Sequence, residues 1–139
     1  MMNEILIGNW SYRSFNNNPD LSVEFNDLKF GSGTIRIDES PMNEFQGLIY
    51  GPGWALDLKG SVNYGSPFEV RFQGMGVVGG EEWIYNYVGY VTQPWVNGIN
   101  QVPSITGSIV RVIPHSGGSG MTIHPAGVVA SWYAVKQME

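Results

Sequence analysis

The feature that most constrains this chain is an alternation of apolar and polar residues with a period of two, interrupted at short intervals by Gly, Pro and Asn. The stretches WALDLK at 54–59 and FEVRFQ at 68–73 both place an apolar side chain at every second position. Because successive side chains of a strand point to opposite faces, each stretch predicts a strand with one buried face. No apolar stripe with helical spacing extends over ten residues. The pattern therefore predicts an all-β chain built from consecutive hairpins.

Eight strands are predicted from this alternation and from the turn residues between the runs. They lie near residues 8–15, 28–37, 43–50, 53–62, 66–77, 82–93, 104–114 and 126–137. An open sheet would leave unpaired edges, whereas a closed barrel of eight strands removes them and leaves room for side chains or one small ligand. Glycines inside the strands, as in FQG at 45–47 and again at 72–74, are typical of tightly coiled barrels. We predict an eight-stranded up-and-down antiparallel β-barrel.

Length and composition favour one domain over residues 1–139, since 42% hydrophobic and 13% aromatic residues suffice for one core. A net charge of −5 with only seven Lys plus Arg argues against nucleic acid or a membrane surface as partner. The opening MMNEILIGNW has no basic region of a signal peptide, which predicts a cytoplasmic protein. The absence of cysteine excludes disulfides and zinc–thiolate sites.

The tripeptide Gly8-Asn9-Trp10, at the start of the first predicted strand, resembles the Gly-x-Trp opening of the calycins, which include the lipocalins and avidins. In that family the tryptophan closes one barrel end beneath a basic side chain from a late strand. The resemblance implies that Trp10 has this role here, with Arg111 or Lys136 as the cation. The other lipocalin motifs have no counterpart, and residues 11–14 do not reproduce the avidin biotin-binding pattern. Biotin binding and secreted transport are therefore not implied.

The densest aromatic run is EEWIYNYVGY at 81–90, in which Trp83, Tyr85 and Tyr87 share one face. If that face points inward, two phenol hydroxyls enter the barrel and suit a polar-tipped aromatic ligand or ordered water. In the alternative, these side chains lie on the outer face or in an interface and bind nothing. The candidate ligand-binding residues are Trp54, Phe72, Trp83, Tyr85, Tyr87, Trp95, Arg111 and Trp132.

Two loops have unusual compositions. The segment 93–103 contains two prolines and Trp95, and we predict that Trp95, Asn97 and Asn100 rim the cavity or a subunit contact. The glycine-rich segment 115–124 is bracketed by the only two histidines of the chain. These histidines could meet at the base of a hairpin, but two ligands do not make a metal site, so no metal or cofactor is predicted.

Catalytic residues cannot be assigned from the sequence. Glu81 and Glu82 are neighbours, so in a strand their carboxylates point to opposite faces and cannot cooperate directly. The chain has neither a nucleophile elbow nor a phosphate-binding loop, since the glycine-rich segment at 117–120 is not followed by a lysine.

Three functions are compatible with these observations. The leading hypothesis is a barrel that binds a small apolar or aromatic molecule through its open end. The second is an isomerase, cyclase or decarboxylase that uses tyrosine and carboxylate groups. The third is a structural, oligomer-forming module. Strands 83–91 and 128–135 are apolar on both faces, which predicts a homodimer unless the segment 16–27 folds back over them.

Overall fold

The computed structural model describes residues 3–116 and 122–138, which form ten strands and two single-turn helices. The helices are α1 (Asn3–Leu6) and α2 (Phe25–Leu28). The strands are β1 (Gly8–Asn16), β2 (Lys29–Ile37), β3 (Glu44–Gly51), β4 (Trp54–Asn63), β5 (Glu69–Val78), β6 (Glu81–Val91), β7 (Ser104–Arg111), β8 (His115–Ser116), β9 (Ile123–His124) and β10 (Val129–Lys136).

Eight of these strands close into a barrel in the order β1-β10-β7-β6-β5-β4-β3-β2. All neighbouring pairs are antiparallel, and each barrel strand pairs with the barrel strands before and after it in the chain. The first and last strands complete the ring, with Trp10 opposite Lys136. The prediction of an all-β, eight-stranded antiparallel barrel is confirmed. The short strands β8 and β9 form a separate hairpin beside it.

The predicted strand ends differ from the observed ones mainly where proline or a turn intervenes. β5 begins at Glu69 rather than at 66, because Pro67 has no N–H to contribute to a ladder. β7 ends at Arg111 rather than at 114, ahead of Pro114. β10 begins at Val129 rather than at 126, because Gly127 takes part in a turn with a φ of 85°.

The interior faces of the strands follow the predicted alternation. On β6, Tyr85 and Tyr87 are buried and Trp83 is half-buried against the core, whereas Asn86 and Tyr90 are exposed. The structure therefore selects the inward arrangement of this aromatic face. The alternative, in which these rings lie outside the barrel, is wrong.

One end of the barrel is closed around Trp10, which is completely buried. Its indole N–H donates to the carbonyl of Leu6 at 2.8 Å, so the turn of α1 is tied to the indole. The ammonium of Lys136 lies 6.0 Å from the centre of the indole ring and donates to the carbonyl of Ile5 at 2.7 Å. Of the two basic residues considered from the sequence, Lys136 is the one that covers Trp10. Arg111 lies at the opposite end of the barrel.

Glycines let a large ring approach the sheet closely at Trp132. Gly89 and Gly107 are cross-strand partners on β6 and β7, and Trp132 lies opposite Gly107 on β10. A methyl group added at Gly89 would come within 2.7 Å of the indole ring, and one at Gly107 would collide with the carbonyl oxygen of Val88. The indole N–H is shared between the carbonyls of Val88, at 3.2 Å, and Ser108, at 2.9 Å. Because Gly89 and Gly107 have no side chains, the Trp132 indole lies close enough to form hydrogen bonds with both β6 and β7.

The first long loop does not shield the outer face of the barrel. Leu21 is fully exposed and Phe25 is 82% exposed, so neither apolar side chain covers a strand. The alternative in which the segment 16–27 folds back over β6 and β10 is therefore wrong. Within the described ranges, no helix has the length and apolar character needed to cross a membrane.

Candidate functional site

A cavity of about 450 Å³ opens at the barrel end opposite Trp10. We call it the aromatic chamber, because most of its wall consists of rings and aliphatic side chains. The apolar part includes Tyr12, Phe30, Ile49, Trp54, Leu56, Trp83 and Tyr87, and the polar part includes Ser14, Lys29, Ser32 and the hydroxyl-bearing Tyr85. The chamber is thus mainly apolar with a few polar groups, as is common for sites that bind small molecules.

A second cavity of about 490 Å³ adjoins the aromatic chamber and shares Lys29, Phe30, Trp83 and Tyr85 with it. We call it the basic cleft, because its wall also contains Arg111 and two histidines. Its other lining residues are Asn16, His115, His124, Pro125 and Val128. The barrel mouth therefore has an aromatic compartment and a polar, basic one, with Tyr85 at their junction.

Five of the candidate residues from the sequence come together at this mouth. Trp54, Trp83, Tyr85 and Tyr87 line the aromatic chamber, and Arg111 lines the basic cleft. Their convergence follows from the register of the strands, since β4 and β6 both begin at this end of the barrel.

The other three candidates lie elsewhere. Phe72 and Trp132 are buried beneath the chamber, where both pack against Tyr87 with ring centres 4.6 and 5.9 Å away. They support the floor of the chamber and do not line it. Trp95 is 77% exposed and lines a smaller cavity of about 270 Å³ with Ile5 and Ile99, at the closed end of the barrel. Of the two roles predicted for Trp95, the structure does not place it at the rim of the main cavity, and the subunit contact stays a prediction.

Several residues of the site were missed in the sequence. Ser14 could have been found, because it continues the period-two series from Trp10 on β1. Lys29 and Phe30 begin β2 directly after α2. The sequence around them does not alternate between apolar and polar residues, so it gave no signal for their position. The sequence points to His115 only as one of two histidines that do not complete a metal site, because the chain around it carries no periodic signal.

A chain of hydrogen bonds runs from Arg111 through Tyr85 to His115. Arg111 Nε donates to the Tyr85 hydroxyl at 3.0 Å, and that hydroxyl lies 2.6 Å from His115 Nε2. His115 Nδ1 lies 2.8 Å from the carbonyl oxygen of Ser116. Because a carbonyl oxygen only accepts, we assign the proton to Nδ1, which leaves Nε2 of the neutral ring to accept from Tyr85. The three bonds therefore point in one direction, from the guanidinium to the Ser116 carbonyl.

The surroundings of His115 favour its neutral form. Burial lowers the pKa of His115, and the charges of Arg111 and His124 act in the same direction, opposed by the bond to the Ser116 carbonyl and by Glu81. Burial also raises the pKa of Tyr85, whereas the bond from Arg111 opposes that increase. Both partners of the short contact are thus held uncharged near neutral pH, with a cation beside them.

His115 is fixed in place by its neighbours on both sides. Its ring stacks on Trp83, with ring centres 3.9 Å apart and an interplanar angle of 14°. The next residue, Ser116, donates its backbone N–H to Glu81 at 3.0 Å and its hydroxyl to the other carboxylate oxygen. The bonds from Ser116 lower the pKa of Glu81. Glu81 therefore anchors β8 to β6 and holds His115 against Trp83.

The two histidines do meet, as the sequence suggested. They are cross-strand partners in the β8–β9 hairpin, with ring centres 5.7 Å apart. In the ranges 3–116 and 122–138, no group of three His, Asp or Glu side chains is close enough to hold a metal ion.

Comparisons of the chain with protein families, with curated proteins and with solved structures found no match.

Proposed function

We propose that this protein binds a small, mainly aromatic molecule in the aromatic chamber. The observation that carries the proposal is the chamber itself, about 450 Å³ of space inside a closed barrel. Pockets for small molecules range over about 300–1,000 Å³ and combine apolar walls with a few placed polar groups. The wall described above has this composition.

The floor of the chamber supports the proposal because it is preformed. Phe72 stacks between Phe45 and Tyr87, with ring centres at 4.3 and 4.6 Å, and Trp132 meets Tyr87 edge-on. Such aromatic pairs contribute about 0.5–1.5 kcal/mol each beyond the area they bury. A rigid floor of this kind lowers the ordering cost of binding.

We also propose that the barrel is of the calycin type. The support is the closed end, where a buried tryptophan from the first strand packs beneath a lysine from the last strand. This is the arrangement that the Gly-x-Trp resemblance implied. A cation near an indole contributes about 0.5–2 kcal/mol, so the pair also stabilises closure of the ring of strands.

The binding proposal is tested by calorimetric titration with the uncharged probe 2-naphthamide. We expect saturable binding to the wild type, and weaker binding, on the order of two- to tenfold, when Trp54→Ala removes one aromatic wall. Trp95→Ala is the matched control, because it removes an exposed tryptophan at the other end of the barrel. Equal losses in the two variants, or no binding to the wild type, would contradict the proposal.

A second candidate function is proton transfer on a bound carbonyl compound, as in an isomerase. The observation that favours it is the Tyr85 hydroxyl, held between Arg111 Nε and His115 Nε2 at the junction of the two compartments. In this step the Tyr85 hydroxyl proton passes to His115 while the phenolate oxygen takes a proton from the carbon beside the carbonyl. The substrate becomes an enolate, and return of a proton to another atom completes the isomerisation. Histidine thus replaces the carboxylate expected from the sequence.

This activity is tested by following the exchange of the acidic protons of 2-tetralone in D₂O by NMR. We expect the wild type to accelerate exchange, and Tyr85→Phe and His115→Gln each to abolish the acceleration. Tyr133→Phe is the control, since Tyr133 is on the outer face of β10 and stacks on Phe15. Acceleration that survives Tyr85→Phe would exclude the step.

A further inference from the structure

We propose that the molecule bound in the aromatic chamber carries a carboxylate, which Arg111 and Lys29 bind in the basic cleft. This inference rests on the proposed binding function and names the chemical class of the ligand, an aromatic carboxylic acid.

The first observation is the distribution of charge. The chain has twelve acidic and seven basic side chains, Lys plus Arg, and a net charge of −5. The basic cleft nevertheless contains Lys29 and Arg111 in its described wall, with no acidic side chain among the residues that line it there. A local excess of positive charge on an acidic protein attracts anions to that place.

The second observation is the burial of Arg111 without a carboxylate partner. Arg111 is 7% exposed, and the groups it donates to are the neutral Tyr85 hydroxyl and, at 3.3 Å, the Pro125 carbonyl. Across the described part of the chain, no acidic side chain forms an ion pair with it. Arg36 and Arg71, by contrast, are exposed and pair with Asp38 at 2.9 Å and Glu69 at 3.1 Å.

A buried cation without a counter-ion is energetically costly, so this arrangement requires a reason. Two aromatic faces partly offset the cost, since the guanidinium carbon lies 5.0 Å from the ring centre of Phe30 and 5.6 Å from that of Tyr85. These contacts hold the guanidinium beside the aromatic wall that the two compartments share. A bound anion would supply the missing charge.

The hydrogen-bonding capacity of Arg111 indicates a carboxylate. A guanidinium has five N–H donors in a planar fork, and the two bonds to Tyr85 and Pro125 leave other donors for a ligand. That fork matches the two oxygens of a carboxylate. Lys29, which lines both compartments, adds a second positive charge. An aromatic ring in the chamber would place an attached carboxylate within the adjoining cleft.

The test compares 2-naphthoate with 2-naphthamide, two probes of the same shape that differ in charge. We expect the wild type to bind the naphthoate about tenfold more tightly, as for a charge-assisted hydrogen bond at a partly buried site. Arg111→Gln should abolish this preference and retain amide binding, and Lys29→Gln should reduce it. Lys59→Gln, which removes a cation from the outer face of β4, should leave it unchanged.

The outcomes separate the inference from the proposed function. Equal affinity for the two probes, or a preference that survives Arg111→Gln, would overturn the carboxylate inference and leave the binding function intact. If neither probe binds the wild type, both proposals fail. A thermal melt of each variant shows whether the barrel remains folded. If Arg111→Gln unfolds, the more conservative Arg111→Lys, which retains the charge, takes its place.

Discussion

The Tyr85 hydroxyl lies 2.6 Å from His115 Nε2, and this bond exists in its present direction only while the imidazole is neutral. Protonation would convert Nε2 from an acceptor into a donor, and it would add a positive charge beside Arg111 and His124. The stability of the mouth is therefore linked to pH through one side chain.

The first prediction follows from the direction of that linkage. The folded pKa of His115 is lowered from 6.5 by burial, with Arg111 and His124 adding to the effect and Glu81 opposing it. The unfolded chain therefore binds the proton first as the pH falls. The stabilisation is complete above pH 6.5 and is lost as the pH falls towards the folded pKa. Denaturant unfolding at a series of pH values should show a steeper loss for the wild type than for His115→Gln.

The carboxylates with lowered pKa values, Asp20, Glu69 and Glu81, lose their contribution only in more acidic solution. His115 itself contributes to the lowered pKa of Glu81, so the comparison isolates His115 at pH values above the carboxylate titrations. The linkage would be contradicted if the free energies of unfolding of wild type and His115→Gln ran parallel from neutral pH down to the pH at which the carboxylates begin to titrate.

The second prediction concerns the closed end. Trp10→Ala should lower the free energy of unfolding by about 3–5 kcal/mol, because it empties a fully buried aromatic site. Trp10→Phe should lower the free energy of unfolding by less, because most of the ring volume is kept. The loss that remains includes the hydrogen bond to the Leu6 carbonyl. Phe25→Ala is the control, because Phe25 is 82% exposed. An unchanged melting temperature in Trp10→Ala would show that this residue does not hold the end closed.

The third prediction tests the close approach of β6 and β7. Gly107→Ala should destabilise the barrel by about 1–3 kcal/mol, because the added methyl group collides with the backbone of Val88. Gly65→Ala is the matched control, since a methyl group there would meet its nearest atom at an ordinary 3.6 Å. Equal melting temperatures for the two variants would refute the packing argument.

The fourth prediction is self-association as a homodimer. The loop between β6 and β7 exposes Trp95, Val96 and Ile99, at 77, 92 and 87%. Because this loop does not rim the chamber, a subunit contact is the remaining role that the sequence predicted for it. Light scattering should give about twice 15.3 kDa for the wild type, and Trp95→Lys should lower the mass towards that of one chain. Leu21→Lys, in the exposed first loop, is the control, and a wild-type mass of 15.3 kDa would exclude the dimer.

The strands and their inward faces could be predicted because a period of two translates directly into burial. The apolar face is clear on β4 and β5, but β6 carries apolar residues on both faces. Alternation therefore groups Tyr85 and Tyr87 on one face without showing that this face points inward, which the structure shows. The position of each loop could also have been found. In an up-and-down barrel successive loops alternate between the two ends, so a first strand that starts at the closed end puts the loop after the sixth strand at that end too. Counting loops would have removed Trp95 from the site.

The hydrogen-bond chain could not be predicted in the same way. His115 and Ser116 lie in a two-residue strand outside the barrel, and their positions depend on contacts with Glu81 and Trp83 that are distant in sequence. Arg111 was identified as a basic residue near an aromatic ring, but its ring is Phe30 and not Trp10. Alternation within a strand does not distinguish the two cations, but the same loop count does. The seventh barrel strand ends with Arg111 at the open end, and the eighth ends with Lys136 at the closed end.

The packing around Trp10 also has a kinetic consequence. With one end of the barrel filled, the aromatic chamber is a blind pocket, so a molecule that enters must leave by the same opening. A newcomer cannot displace the occupant from behind, and each replacement must pass through the empty protein. The rate at which a bound molecule departs then depends on its contacts in the chamber and on the mouth, and not on how much competitor surrounds it.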